Sequence, residues 1–80
     1  MARVLLFGSL VDVAGWRERD IDVPALSSLK ALLAWEEEGL GAAIAEPGVQ
    51  VSVDQEITRD ADVPLTPSSE VAFLPPMSGG

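Results

Sequence analysis

Two strands can be read at opposite ends of this 80-residue chain, and both are apolar on both faces. That shared property narrows the folds open to the chain more than any other feature. In "ARVLLF" (2–7), Val4 and Leu6 point one way while Leu5 and Phe7 point the other. In "EVAFL" (70–74), Val71 and Phe73 share one face, and Ala72 and Leu74 the other. A strand covered at least partly on both sides belongs inside a sheet rather than at its rim. The two are therefore expected to lie next to each other in parallel, which brings the beginning and end of the chain together.

The intervening sequence supplies the remaining elements. "GSLVDVAG" offers Ser9 as a helix cap and Gly15 as a stop, enough for one or two short turns. "WRERDIDV" (16–23) reads as an exposed strand, the hairpin partner of the first, broken by Pro24. A helix is expected over 26–38, where Leu26, Leu29 and Leu33 follow the i, i+3, i+7 spacing and Leu32 and Ala31 widen the stripe. Gly39 reads as its C-terminal stop. "LGAAIAE" adds a short helical turn before Pro47-Gly48 reverses the chain. "VQVSV" (49–53) alternates as a strand, Asp54-Gln55 turns, and "EIT" returns. "TPSS" (66–69) is a second turn with Pro67 at its corner. The order β-β-α-β-β-β, with no internal repeat, predicts one α+β domain over residues 1–80. A helix lies across a small mixed sheet, with Leu29, Leu33, Val51 and Phe73 in the core, as in a ubiquitin-like β-grasp.

Composition then removes most kinds of chemistry. With 48% hydrophobic residues the chain is globular in character. No apolar run, Val4 to Phe7 included, approaches the roughly 20 residues of a membrane span. "MARVLLFGSL" reads as a first strand and not as a signal peptide. There is no cysteine, so no disulfide framework is available and a cytoplasmic location is expected. Five basic against 13 acidic residues give a net charge of −8, which disfavours nucleic acid and suits a basic protein partner. Histidine and tyrosine are also absent, so the usual general base, the thiol nucleophile and most transition-metal ligand sets are missing. The pairs Asp20/Asp22 and Asp60/Asp62 lack the spacing of a calcium loop, and no metal or bound cofactor is expected. Glu36, Glu37 and Glu38 read as a solvated helix end that adds nothing to stability. Trp35, near the leucine stripe, is expected at the core edge; Trp16 is ambiguous between core and surface.

What remains is the C-terminal stretch "FLPPMSGG". Pro75-Pro76 fixes φ twice and withholds two ladder donors, so the strand must stop there and the chain leave as a stiff projection. The residues that follow are expected to carry a terminal carboxylate about 13–14 Å further out. Gly79 and Gly80 lack Cβ atoms and suit a channel too narrow for other residues. A carboxylate on such a probe is fitted for delivery into another protein's active site.

"RVLLFGSLVDVAG" and "PLTPSSEVAFLPPMSGG" resemble the small, sulfur-carrying subunit of molybdopterin synthase, the MoaD family, and the order of elements between them agrees. Residues 35–48 resemble the family only loosely. Asp54 stands where members often carry Asn, and Ala25 leaves the helix without the usual capping side chain. The resemblance implies that an ATP-using activating enzyme adenylates the Gly80 carboxylate. A sulfur donor protein then converts it to a thiocarboxylate. It also implies that Met77, Ser78 and Gly79 thread into the large, catalytic synthase subunit, in a heterotetramer of two small and two large subunits. Sulfur passes there to cyclic pyranopterin monophosphate. Phe7, Ile57 and Leu74 match the family's exposed apolar patch, with Pro75 and Pro76 beside it. The same fold and tail would also serve a sulfur carrier for thiamine, cysteine or tRNA thiolation, or a ubiquitin-like modifier linked through Gly80 to lysine. A small acidic binding module with an inert tail is the reading from a different class.

Overall fold

The first strand, Ala2–Leu6 (β1), and the last, Glu70–Leu74 (β5), pair in parallel, with Val4 beside Val71 and Leu6 beside Phe73. The computed structural model describes residues 1–76. Between these strands run α1 (Ser9–Ala14), β2 (Glu18–Ile21), α2 (Leu26–Glu36), α3 (Glu38–Ile44), β3 (Gln50–Val53) and β4 (Glu56–Thr58). The sheet order is β2-β1-β5-β3-β4, and every pairing other than β1–β5 is antiparallel. The two doubly apolar strands thus take interior positions, as their composition demands. This is the ubiquitin-like β-grasp arrangement expected from the order of elements.

One face of the sheet is roofed by the helices. Val4, Leu6, Val71, Phe73 and Val51 point into a core completed by Leu10, Leu26, Leu29, Leu33, Leu40 and Ile44. All four residues expected in the core are there, and Leu29, Leu33 and Phe73 have no solvent exposure at all.

The helices depart from the expected pattern in three places. First, Ser9 is not the cap of α1. Gly8 holds the N-cap position at φ 56°, ψ −134°, a conformation open to glycine, and Ser9 is the first helical residue. Gly15 does close α1 in the left-handed region, with φ 81°. Second, α2 ends at Glu36, and Gly39 lies inside α3 instead of stopping the longer helix. The break falls at Glu37 (φ −138°, ψ 86°), whose carboxylate is tied to the sheet side of the molecule. The Trp16 indole N–H donates to Glu37 Oε2 at 2.9 Å, and Arg19 Nη1 donates to the same oxygen at 3.3 Å. Arg19 also pairs with Glu36 at 3.3 Å and sits 5.3 Å from the Trp16 ring centre. Glu36 and Glu37 are therefore structural partners, not idle charges. They pin the α2–α3 corner to β2. Gly41 lets α3 fold back closely, since a Cβ there would stand 2.6 Å from the Ala34 Cα. Third, Trp35 is not at the core edge. It is 87% exposed, because at 3.6 residues per turn it falls on the side of α2 opposite the buried Leu26, Leu29 and Leu33.

Ala25 offers α2 no capping side chain, and the missing acceptors come from a distant loop. Leu26 N–H donates to the Val63 carbonyl at 2.9 Å and Ser27 N–H to the Ala61 carbonyl at 2.7 Å. Leu65 N–H returns a bond to the Pro24 carbonyl at 2.9 Å. Backbone thus replaces the side-chain cap in satisfying the first donors of the helix.

The turns behave as read. Asp54 and Gln55 both take positive φ (52° and 71°), the pattern of a tight hairpin whose twist matches its strands. Asp54 suits the left-handed region as Asn would, and its carboxylate accepts from the Glu70 N–H at 2.9 Å. In 66–69, Ser69 N–H closes the turn on the Thr66 carbonyl at 3.0 Å, with Pro67 at the corner.

Phe73→Ala should cost about 3–5 kcal/mol as a cavity in a closed core. Trp35→Ala should change stability by no more than about 0.5 kcal/mol. Guanidinium denaturation of the two variants measures the contrast, and equal losses would contradict these placements.

Candidate docking face and tail root

Among the described residues, no helix covers the second face of the sheet. Strand pairing builds it row by row. Leu5 on β1 lies beside Ala72 on β5, Ala72 beside Ser52 on β3, and Ser52 beside Ile57 on β4. One step further along, Phe7 and Leu74 follow the Leu6–Phe73 pair, and Leu74 is opposite Gln50. Ala72 and Ser52 are small and sunken, so the larger side chains around them stand above a shallow floor. At the opposite end of this face Arg3 pairs with Glu18 at 3.3 Å in solvent. The result is an apolar surface bounded by charge.

The expected partner-binding residues fall on this surface. Ile57 is 54% and Phe7 44% exposed, while Leu74 is half-buried between its neighbours. Phe7 and Leu74 lie at the same end of adjacent strands, and Ile57 stands two strands away on the edge, at the next row. Leu5 and Ala72 complete the patch. Their place was implicit in the strand alternation, although neither stands out as an interface residue in the sequence.

Pro75 and Pro76 continue from β5 at the Phe7 end of the patch. Pro75 is half-buried and Pro76 exposed. Each rests on a glycine. A Cβ on Gly8 would meet Pro75 Cγ at 2.8 Å, and a Cβ on Gly48 would meet Pro76 Cβ at 2.7 Å. On the helix side the prolines border an apolar recess of about 230 Å³ shared with Leu10, Val13, Ala43 and Val49. Met77, Ser78, Gly79 and Gly80, expected to form the threading and reacting end, lie outside the described residues.

Among the described residues, no three His, Cys, Asp or Glu side chains gather closely enough to hold a metal ion. Nor is any helix among them long and apolar enough to cross a membrane.

The model of the ThiS family matches residues 4–80. The chain belongs to that family. It is 35% identical over 82 residues to the human molybdopterin synthase sulfur carrier subunit, covering 96% of this chain and 91% of that one. With the Escherichia coli molybdopterin synthase sulfur carrier subunit it shares 29% identity over 82 residues, spanning both chains fully. Among solved structures, SAMP1 from Haloferax volcanii superposes with a TM-score of 0.85 at 23% identity, over 99% of this chain and 98% of that one. A further likeness is to a chain in the complex of subunits 1 and 2 of the molybdopterin-converting factor from Helicobacter pylori. It has a TM-score of 0.75 at 24% identity, covering 99% of this chain and 97% of that one. These structural likenesses support the β-grasp fold. The full-length sequence matches place the chain among relatives of the MoaD type.

Because the open face carries no helix, Leu74→Asp should leave the fold intact at a cost of about 1–2 kcal/mol. Phe73→Asp, one residue away and fully enclosed, should abolish cooperative unfolding. Circular dichroism melts compare them directly, and collapse of the Leu74 variant would assign that side chain to the core.

Proposed function

We propose that this chain is a sulfur carrier of molybdenum cofactor biosynthesis, working through the carboxylate of Gly80. The observation that carries this reading is the tail root. The segment leading to Gly-Gly leaves an interior strand at the rim of an apolar patch, in a chain whose full-length curated relatives are sulfur carrier subunits. A proline-led exit beside an apolar face suits a protein that docks by its sheet and reacts by its tail.

The chemistry proposed for the end follows from what a carboxylate lacks. It is a poor electrophile and a poor nucleophile. Attack of its oxygen on the α-phosphorus of ATP, within an activating enzyme, expels pyrophosphate and leaves an acyl-adenylate with AMP as leaving group. A sulfide-level sulfur nucleophile delivered by a donor protein attacks the acyl carbon, the bond to AMP breaks, and a thiocarboxylate remains. Inside a large catalytic subunit, that sulfur passes to cyclic pyranopterin monophosphate on the way to the dithiolene. The heterotetramer of two small and two large subunits belongs to the same reading. So does a cytoplasmic location, which the lack of cysteine fits. Acid–base groups for these steps are supplied by the partners, in keeping with a chain that has no histidine, cysteine or tyrosine. The charge of −8 favours encounter with basic partner surfaces.

Intact mass of the protein isolated from its native host tests the reading. A fraction heavier by the difference between sulfur and oxygen is expected. High-mass conjugates instead would indicate a protein modifier, and an unmodified chain alone would refute the carrier role. A chain with one residue appended after Gly80 should fold normally yet fail to be adenylated. The addition moves the carboxylate by about 3.5 Å, beyond near-attack geometry. Full pterin-sulfurating activity in that variant, its mass confirmed, would overturn the mechanism. Loss of sulfur transfer to thiamine or tRNA on deletion, with the molybdenum cofactor intact, would reassign the pathway.

A further inference from the structure

We propose that Gly8 and Gly48 are positioning residues that set the direction in which the tail leaves the domain. The inference rests on the tail being the working end, as proposed above, and it deepens that reading.

Strand order supplies the geometry. β5 is flanked by β1 on one side and β3 on the other. β1 runs parallel to β5, so the chain leaving β1 emerges at the end where β5 stops. β3 runs antiparallel, so the chain entering β3 arrives at that same end. Gly8 lies on the first of these connections and Gly48 on the second. Two neighbouring strands thus each present a glycine to the tail root, against consecutive prolines. The contacts leave no room for a methyl group: 2.8 Å from a Gly8 Cβ to Pro75 Cγ, and 2.7 Å from a Gly48 Cβ to Pro76 Cβ.

The prolines need such seats. Neither can donate a ladder hydrogen bond, so β5 cannot hold its own continuation by pairing. Fixed φ values make Pro75-Pro76 stiff, but stiffness transmits a direction without choosing one. Seating on both flanking loops chooses it. The two glycines are required for different reasons. Gly8 has φ 56°, so its backbone and its close approach both exclude a side chain. Gly48 is not among the positive-φ residues, and closeness alone demands glycine there.

Gly48→Ala is therefore the cleaner test. Ordinary carbon contact would require Pro76 to move by at least about 0.7 Å. Movement of Pro76 displaces the point from which the rest of the tail sets out, and misplacement of a reacting group by about 1 Å is enough to slow a positioned reaction severely. Gly48 makes no contact with Phe7, Ile57 or Leu74 in the close approaches of its Cβ position, so recognition through those three and reaction at the tail should separate.

Two measurements decide the proposal. On the isolated chain, the Pro76 Cα–Hα residual dipolar coupling should change in Gly48→Ala while the couplings of β1 and β5 stay as in wild type. With the activating enzyme, ATP–pyrophosphate exchange should show kcat lowered by about ten-fold or more and KM within about two-fold of wild type. In Gly48→Ala/Pro76→Gly, which removes the opposing Cβ, kcat should return to that of Pro76→Gly alone. Gly8→Ala carries backbone strain as well, so it is read only beside Gly8→Ala/Pro75→Ala, which should regain part of the lost exchange rate. An unchanged Pro76 coupling, or a kcat within about two-fold of wild type, overturns the positioning role. If wild type itself supports no exchange, the carrier reading fails, and the coupling alone decides whether Gly48 seats the tail.

Discussion

The parallel pairing of β1 with β5 joins residues from opposite ends of the chain, with Arg3 beside Glu70 and Leu6 beside Phe73. Other features depend on it. It closes the core, because Val4, Leu6, Val71 and Phe73 form the middle of the covered face only when the two strands lie together. It assembles the open patch, since Phe7 and Leu74 become neighbours through the same register. It also brings the loop carrying Gly8 against Pro75. Such a contact cannot form until the intervening chain has been ordered, and the entropy of closing that long loop is offset by apolar burial on both sides of the pair.

The two faces of the sheet divide the work. The covered face supplies stability, and its residues have almost no contact with water. The open face contributes less to stability and leaves Phe7 and Ile57 available. A proposed carrier with no histidine, tyrosine or thiol of its own depends on presenting itself well to partners. The sheet offers a surface for them to grip, and the seated prolines fix where the chain leaves that surface.

How far all this was legible in the sequence varies with the physics involved. Strand alternation and the leucine spacing depend on local periodicity. They located the strands, the covered face and the outward side of Phe7 and Leu74, while Ile57 came only from the family resemblance. The ends of the helices depend on distant partners and were read less well. Gly39 resembles a helix stop, yet the stop is made at Glu37 by Trp16 and Arg19 from another element. Trp35 lies near the leucine stripe in sequence, yet at 3.6 residues per turn it projects from the opposite side of α2 into solvent. Ser9 resembles a cap, but the strained N-cap position admits Gly8 instead. Gly48 reads as an ordinary turn glycine beside Pro47, and no local pattern signals that it faces Pro76.

The rims of the sheet have a consequence of their own. A surface that keeps phenylalanine, isoleucine and leucine open to solvent invites molecules to stack, and unpaired strand edges would let stacked sheets join into longer ones. Here the outer strands offer little to join. β4 has three residues, Glu56–Thr58, and β2 begins Glu18-Arg19-Asp20, alternating charge along the exposed edge. Extension of the sheet by another copy would meet a short ladder on one side and charged side chains on the other. Both rims therefore oppose growth of the sheet by edge pairing, although the open face keeps apolar side chains in water.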